Sequence, residues 1–299
     1  MSLLSRFQRI FGKAATGRRR RPRPSFRSQK HLFRPTLEIL EDRTVPSLIA
    51  SQLLPLLRAS AGAGNSVALL ASSARGTPAV TSCANNPFLG NAASFGVLAG
   101  QTVTNTGPTV VDGNVGVSPG SAITGFTGPP NGSVTGGTIH GPDALTGLAQ
   151  HDVTTAYNTL AGLPVTSNLT GQVLGNGVGG TVPTLTPGVY RFNVGAQLTG
   201  ALTLDFQGNS NALFVFQIGS TLTTASASSV VAINNGGAGT PNVYWQIGSS
   251  ATLGTTTTFI GSILALTDIN LRTGATISCG RALARNGQVT MQTNVVSII

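Results

Sequence analysis

The chain has 299 residues, of which only 9% are charged, and it contains 39 glycines. A soluble domain ordinarily has about 25% charged residues. The formal net charge of +10 is unevenly distributed, because residues 1–75 hold 14 Lys and Arg against three acidic residues, whereas residues 76–299 hold four Arg and five Asp. The nearly neutral second part argues against a helical bundle, whose helices need charged outer faces, and against a basic nucleic-acid-binding domain.

Residues 1–46 form a basic, proline-containing leader that is predicted to stay extended and solvated. Residues 47–85 contain a short apolar stretch, Leu48–Leu57, followed by Ala59-Ser60-Ala61 and a linker rich in Ala, Ser and Gly. The order fits a secretory signal with a long basic region, or equally a disordered leader with a chance apolar patch. Because no apolar run reaches the roughly 18–20 residues of a membrane span, we expect no integral span.

From residue 86 the sequence is rich in Thr and Val, which favour strands, and in Gly and Asn, which favour turns. Short strand-like segments alternate with Gly, Pro, Asp and Asn turns. The first of these segments are Ser94–Leu98, Gln101–Asn105, Thr109–Asp112 and Val115–Val117.

One helix is predicted from Pro142 to Leu160, with Pro142 at the first helical position. Its apolar residues recur at three- and four-residue steps and form one stripe, which must lie against a sheet. The stripe comprises Leu145, Leu148, Ala149, Val153, Ala156, Tyr157 and Leu160.

Internal repeats follow the helix. Residues 216–220 (FQIGS) recur as 245–249 (WQIGS), and residues 261–265 (GSILA) resemble 280–284 (GRALA). A third register places a Thr two residues after an apolar residue, and residues 234–239 look like a loop inserted into one coil. Coils of 18–20 residues predict a three-sided β-solenoid, an all-β fold with one helix alongside. The third register consists of Leu222/Thr224, Leu253/Thr255, Leu271/Thr273 and Met291/Thr293.

Motifs for catalysis or metal binding are weak. Asp143 and Asp152 lie nine helical residues apart, on opposite sides of the helix. His140 and His151 are too far apart to share a metal ion. Residues 175–180 match G-x-G-x-x-G but lack the following helix, which indicates a flexible loop. We therefore expect no enzyme, no cofactor and no metal site.

The remaining signal is threonine. Residues at the same position of successive solenoid coils stack into ladders, so the repeats predict a flat, weakly polar face. Ordinary strand preference explains Thr equally simply. A functional face would suit a regular hydroxyl lattice, either ice or a crystalline polysaccharide. The candidate residues are Thr224, Ser226, Thr255, Thr258, Thr273, Thr276 and Thr293.

Cys83 and Cys279 lie near the two ends of this second part. They are either two unrelated buried thiols or one disulfide, which would require an oxidising compartment.

Two stretches of the chain resemble known protein families. Residues 37–47 (LEILEDRTVPS) resemble an N-terminal motif of large exported bacterial proteins. Residues 86–299 resemble the ice-binding-like family, through residues 89–100, 102–120, 186–192 and 280–290 and the two QIGS repeats. This second resemblance implies a right-handed, discontinuous β-solenoid, with the helix alongside and N-terminal strands joining coils that are distant in sequence.

The family's ice-binding face carries T-A/G-x-T/N motifs, which Thr273-Gly274-Ala275-Thr276 matches fully. The sequence thus predicts a secreted or cell-surface monomer that adsorbs to ice and inhibits its growth or recrystallisation. The alternative is a structural or adhesive module that binds polysaccharide or matrix. Nucleic-acid binding through residues 6–34 is a third hypothesis, and we expect no nucleic-acid partner because the adjacent motif is export-like.

Overall fold

The computed structural model describes residue 83 and residues 86–236 and 242–299. These residues form three parallel β-sheets, which are the sides of a triangular solenoid, and one α-helix along one side. The predicted all-β solenoid with a long helix is confirmed. The basic leader, the apolar stretch and most of the linker lie outside the described residues. Within the described ranges, no helix is long and apolar enough to cross a membrane.

Each complete coil contributes one short strand to each sheet. In spatial order, sheet A consists of β7 (Ile139–His140), β4 (Asn114–Val117), β1 (Phe95–Ala99), β22 (Ala282–Ala284), β19 (Ser262–Ala265), β16 (Asn242–Ile247), β13 (Leu213–Ile218), β10 (Gly188–Phe192) and β8 (Ser167–Asn168). Sheet B consists of β11 (Ala196–Leu198), β14 (Leu222–Thr224), β17 (Ala251–Leu253), β20 (Ile269–Leu271), β23 (Val289–Gln292), β2 (Thr102–Thr106) and β5 (Ala122–Thr124). Sheet C consists of β6 (Ser133–Thr135), β3 (Val110–Asp112), β24 (Val295–Ser297), β21 (Thr276–Ser278), β18 (Thr258–Ile260), β15 (Ser229–Ile233), β12 (Ala201–Asp205) and β9 (Thr184–Leu185).

The repeats of the sequence are neighbouring coils. Phe216 pairs with Trp245 and Ile263 pairs with Ala282, as the two sequence repeats predicted. The paired aromatic side chains point into the solenoid, where the rings of Phe216 and Trp245 stack with centroids 3.8 Å apart. Stacked, fully buried residues of this kind form the core of the solenoid, because every second residue of each strand faces inward.

The solenoid is discontinuous in sequence. Strands β1, β2 and β3, near the start of the described chain, pair with β22, β23 and β24 at its end. Val103, for example, is in register with Val289. The N-terminal strands β1, β2 and β3 therefore form a coil that stacks on the last coil of the chain, and so join coils that are distant in sequence, as the family resemblance implied.

The helix α1 (Ala144–Ala161) covers the outer face of sheet A. Its buried side, including Val153, Ala156 and Leu160, packs in one cluster with outward-facing residues of sheet A such as Tyr244. The prediction needs two corrections. Asp143, not a helical Pro142, caps the helix, because its carboxylate accepts the Thr146 N–H. Leu148 faces solvent with 56% of its surface exposed, because the sheet contacts only the other flank of the helix.

The cap of α1 makes the fold sensitive to acid. The Thr146 backbone N–H and, to a smaller extent, the His140 ring lower the pKa of Asp143 to about 2. Because the native pKa lies below the ordinary value of 3.8, the ionised cap stabilises the fold above that pH and loses its effect as the pH falls through 2. We expect the thermal midpoint of Asp143→Asn to fall less than that of the wild type between pH 4 and pH 2 in circular dichroism melts. An equal fall of the thermal midpoint in Asp143→Asn and in the wild type would contradict this account.

Cys83 and Cys279 form a disulfide, with their Cα atoms 5.2 Å apart. Cys279 follows β21 at the corner between sheets C and A. The disulfide interpretation of the two cysteines is confirmed, and the bond ties the start of the described chain to one of the last coils.

Candidate functional site

The helix leaves two sides of the solenoid open. Sheet A is buried beneath α1, whereas the outer faces of sheets B and C carry many exposed side chains. A flat binding face therefore has two possible locations, and the regularity of their outward residues distinguishes them.

Sheet B carries one row of neutral polar side chains that runs without interruption through all its strands. Each member is the registered partner of the next, and five of the seven are exposed while two are partly buried. Neighbouring strands lie about 4.8 Å apart, so the row extends for about 29 Å. We call this row the polar ladder; it consists of Gln197, Thr223, Thr252, Asn270, Thr290, Thr104 and Thr124.

The polar ladder points outward because its sequence neighbours are core residues. Leu222 and Thr224 flank Thr223, and both are buried. Since side chains alternate between the two faces of a strand, a buried residue on each side directs the ladder residue to solvent. A close-packed interior supports the row from beneath and limits its deformation.

Hydrogen bonds between coils order the row beside the ladder. The hydroxyls of Ser250 and Thr267 are 2.7 Å apart, and Asp268 Oδ1 accepts the Gln288 N–H at 3.0 Å. The Thr102 hydroxyl donates to Gln288 Oε1 at 3.4 Å. These contacts restrict the side chains that flank the polar ladder, so a bound surface would meet a largely preorganised plane.

Sheet C is less regular on its outer face. Thr258 and Thr276 are in register on adjacent strands, but the next two residues in this row are Val295 and Val110. Both valines are exposed, and Asp112 follows two residues after Val110. A row that changes from hydroxyl to aliphatic side chains cannot offer the constant chemistry of the polar ladder.

The remaining predicted residues lie at the corner between sheets B and C. Thr255 and Thr273 are exposed on adjacent coils, and Ser226 is exposed on the coil before them. Thr256 and Gly274, which follow the two threonines, have positive φ angles of 56° and 71°. Thr293 has the same left-handed conformation, with φ of 53°, so it occupies the corner position itself.

Thr224 differs from the other predicted residues because it is only 3% exposed. Its hydroxyl accepts the Gly254 N–H at 2.8 Å and shares a 2.8 Å hydrogen bond with Thr257. The third repeat register aligned Leu222 with Leu253. This alignment is wrong, since Leu222 pairs with Ala251. Residues two apart on a strand share a face, so Thr224 points inward with Leu222 and cannot contact a ligand on sheet B.

The buried hydroxyl predicts a difference in stability between two adjacent threonines. Thr224→Val leaves the Gly254 N–H without a partner and should lower the free energy of unfolding by about 1–3 kcal/mol. The matched change Thr223→Val, on the outward side, should change it by less than about 0.5 kcal/mol. Urea denaturation of both variants checks this, and equal losses would show that Thr224 has no special structural role.

Sequence reasoning missed the polar ladder itself. The available signal was the residue next to each repeated core residue, such as Thr252 beside Leu253 and Asn270 beside Leu271. The chosen Thr positions instead followed the core residues by two. Thr255 lies past the end of its strand and is exposed at the corner. Thr224 lies within its strand, where residues two apart share a face, and it is therefore buried in the core.

A three-sided solenoid with a long row of neutral polar side chains in register offers a ligand an extended, regular surface. The sequence and structure also match known proteins. Residues 97–297 match the family model described as Ice-binding-like, and the chain therefore belongs to the Ice-binding-like family.

Two relatives are named ice-binding proteins. The one from Nostoc sp. is 59% identical over 210 residues, covering 70% of this chain and 73% of the relative. The one from Colwellia sp. is 32% identical over 268 residues, covering 85% of this chain and 95% of the relative. The solved ice-binding protein of Antarctomyces psychrotrophicus superimposes with a TM-score of 0.63 at 38% identity, covering 71% of this chain and 97% of that one. The solved ice-binding protein from an Antarctic biological consortium gives the same TM-score of 0.63 at 42% identity, covering 71% of this chain and 91% of that one.

Proposed function

We propose that this protein binds ice through the outer face of sheet B and thereby inhibits the growth or recrystallisation of ice. The observation that carries the proposal is the polar ladder, in which seven neutral side chains stand in register over seven strands. The names of its relatives supply the identity of the lattice.

The chemistry of the ladder suits adsorption to ordered water. A threonine offers a methyl group and a hydroxyl at each step, and the repeat along the ladder is fixed by the spacing of the strands. None of the seven residues is charged, so the ladder itself does not bring strongly hydrated ions against the lattice; the charged side chains on this side, Asp268 and Arg272, stand beside it. Each contact is weak, but little conformational entropy is lost because the plane is already ordered.

The corner residues extend this face. Ser226, Thr255 and Thr273 lie next to sheet B and are exposed, so we place them at the margin of the binding surface. Thr258 and Thr276 lie on sheet C, which is a different plane, and we leave them outside it. Thr224 is left out because it is buried.

Export and the absence of catalysis are part of the same proposal. Extracellular proteins commonly keep disulfides that cytosolic proteins lack, so the Cys83–Cys279 bond supports a secreted or cell-surface location. The export-like motif at residues 37–47 agrees with it. Adsorption through a flat face requires no reacting group, so we propose a non-enzymatic protein that acts as a monomer.

Partition of the full chain between a slowly growing ice body and the remaining liquid tests the proposal. Most of the protein should enter the ice, whereas an inert protein of similar size is excluded. Incubation with insoluble cellulose provides the comparison for the polysaccharide alternative. Exclusion from ice would overturn the proposal, and retention on cellulose in that case would support the adhesive alternative.

A further inference from the structure

A concave surface lies on another side of the solenoid, where α1 ends above sheet A. It is a cleft of about 240 Å³ between the last turns of the helix and the corner that leads to sheet B. Glycines form part of this corner, and a Cβ at Gly248 would lie 2.4 Å from the carbonyl oxygen of Gly219. The cleft is open because the helix ends at Ala161 while sheet A continues to β8.

A buried polar atom at this cleft has no partner. Gln217 is 3% exposed, and its Nε2 donates to the carbonyl oxygens of Leu160 and Leu163 at 2.8 and 2.9 Å. These two bonds fix the orientation of the amide at the end of the helix. The Oε1 atom is buried and makes no hydrogen bond. An acceptor in this position favours a ligand that donates an O–H or N–H group.

The cleft also carries a cation without a matching carboxylate. Arg191 is exposed, lines the cleft and is in register with Gln217 on the adjacent strand. No Asp or Glu is among the residues that line the cleft. Two other arginines of the described chain are engaged elsewhere, since Arg281 donates to the Ala93 carbonyl oxygen and Arg285 to the Thr154 hydroxyl. Arg191 is therefore available to a carboxylate of a ligand, which a guanidinium binds with two parallel hydrogen bonds.

Together these two groups suit a ligand that carries both a hydrogen-bond donor and a carboxylate. Gln217 needs a donor and Arg191 needs a carboxylate, while the amides of Asn193 and Gln246 and the ring of Tyr157 line the space between helix and corner. We propose that this cleft binds a sugar acid, that is, a pyranose unit carrying both hydroxyls and a carboxylate, as in acidic polysaccharides. The proposal is independent of ice binding, because the cleft belongs to sheet A and the polar ladder to sheet B.

Titration of the full chain followed by amide NMR tests the proposal with three small probes and one oligomer. Glucuronate should shift the signals of Gly219 and Gly248, while glucose, which lacks the carboxylate, and acetate, which lacks the hydroxyls, should bind at least about tenfold more weakly. If acetate bound as tightly as glucuronate, the cleft would be a site for any carboxylate. If glucose bound as tightly as glucuronate, Arg191 would not contribute to binding. Either result would overturn the proposal, as would no binding of glucuronate. A tetramer of galacturonate distinguishes a free sugar from a unit of a polymer.

Three variants locate the binding. Arg191→Met removes the cation and Ala161→Leu fills the cleft from an exposed helical position, so each should weaken glucuronate binding at least about tenfold. Arg272→Met removes an exposed arginine from the sheet B side and should leave glucuronate binding unchanged. Equal weakening by Arg272→Met would show non-specific attraction and overturn the proposal. Thermal melts confirm folding, and partition into ice should be the same for Arg191→Met and the wild type.

Discussion

Nearly complete loss of ice adsorption is expected from Thr252→Tyr. Thr252 lies near the middle of the polar ladder, between Thr223 and Asn270. A tyrosine ring would project several ångströms above the plane, and dispersion contacts weaken steeply with even a gap of about 1 Å. The ring would thus hold ice away from neighbouring ladder residues as well as from its own position. We expect thermal hysteresis to fall below about one tenth of the wild-type value, measured at equal protein concentration.

Thr258→Tyr is the matched control, because Thr258 is an exposed threonine at the start of a strand on sheet C. It introduces the same side chain on the neighbouring face and should leave thermal hysteresis within about twofold of the wild type, since scattered surface changes have little effect on the fold. If Thr258→Tyr abolished activity and Thr252→Tyr did not, the binding face would be sheet C. Circular dichroism of both variants separates loss of the face from loss of the fold.

A large loss of stability is expected when the disulfide is removed. The bond joins residues separated by 196 positions, so it restricts nearly the whole unfolded domain. By the loop-entropy relation, closing a loop of this length contributes about 5 kcal/mol to the free energy of unfolding. The double variant Cys83→Ser/Cys279→Ser should lose most of this amount in urea denaturation.

Reduction of the wild type provides a second measurement of the same quantity. Unfolding of the wild type in excess reductant should approach that of the double serine variant. Both forms should still adsorb to ice below their melting temperatures, because Cys279 lies at the corner between sheets C and A and not on sheet B. A double variant as stable as the wild type would contradict this account, because it would show that the disulfide does not restrict the unfolded chain appreciably.

Much of the fold could be predicted because its repeats are short and its core residues recur. The pairs Phe216 with Trp245 and Leu264 with Leu283 follow directly from aligned sequence repeats. The helix followed from its apolar period, although its buried flank was misjudged at Leu148. The pairing of β2 with β23 gives no local signal, since its partners are 186 residues apart, as in Thr104 and Thr290. It came from the resemblance to the family.

The site was harder to predict than the fold. Only the positions at the corner, Ser226, Thr255, Thr273 and Thr293, lie next to the face that we propose, and Thr224 is inside the core. At each corner a residue with positive φ, such as Thr256 or Gly274, turns the chain into the next sheet. The alternation of inward and outward residues begins again after every such turn, so an error of one residue moves a side chain to the opposite face.

A nearly neutral solenoid, built of coils whose apolar residues return at a regular period, follows from the amino-acid sequence, because burying those residues requires stacked strands. Which hydroxyls form a surface depends on the three-dimensional arrangement of the coils. The polar ladder takes its first five members from coils that are consecutive in sequence and its last two, Thr104 and Thr124, from strands near the start of the described chain. Their alignment depends on parallel pairing between distant strands, which fixes the position of each side chain relative to its neighbours.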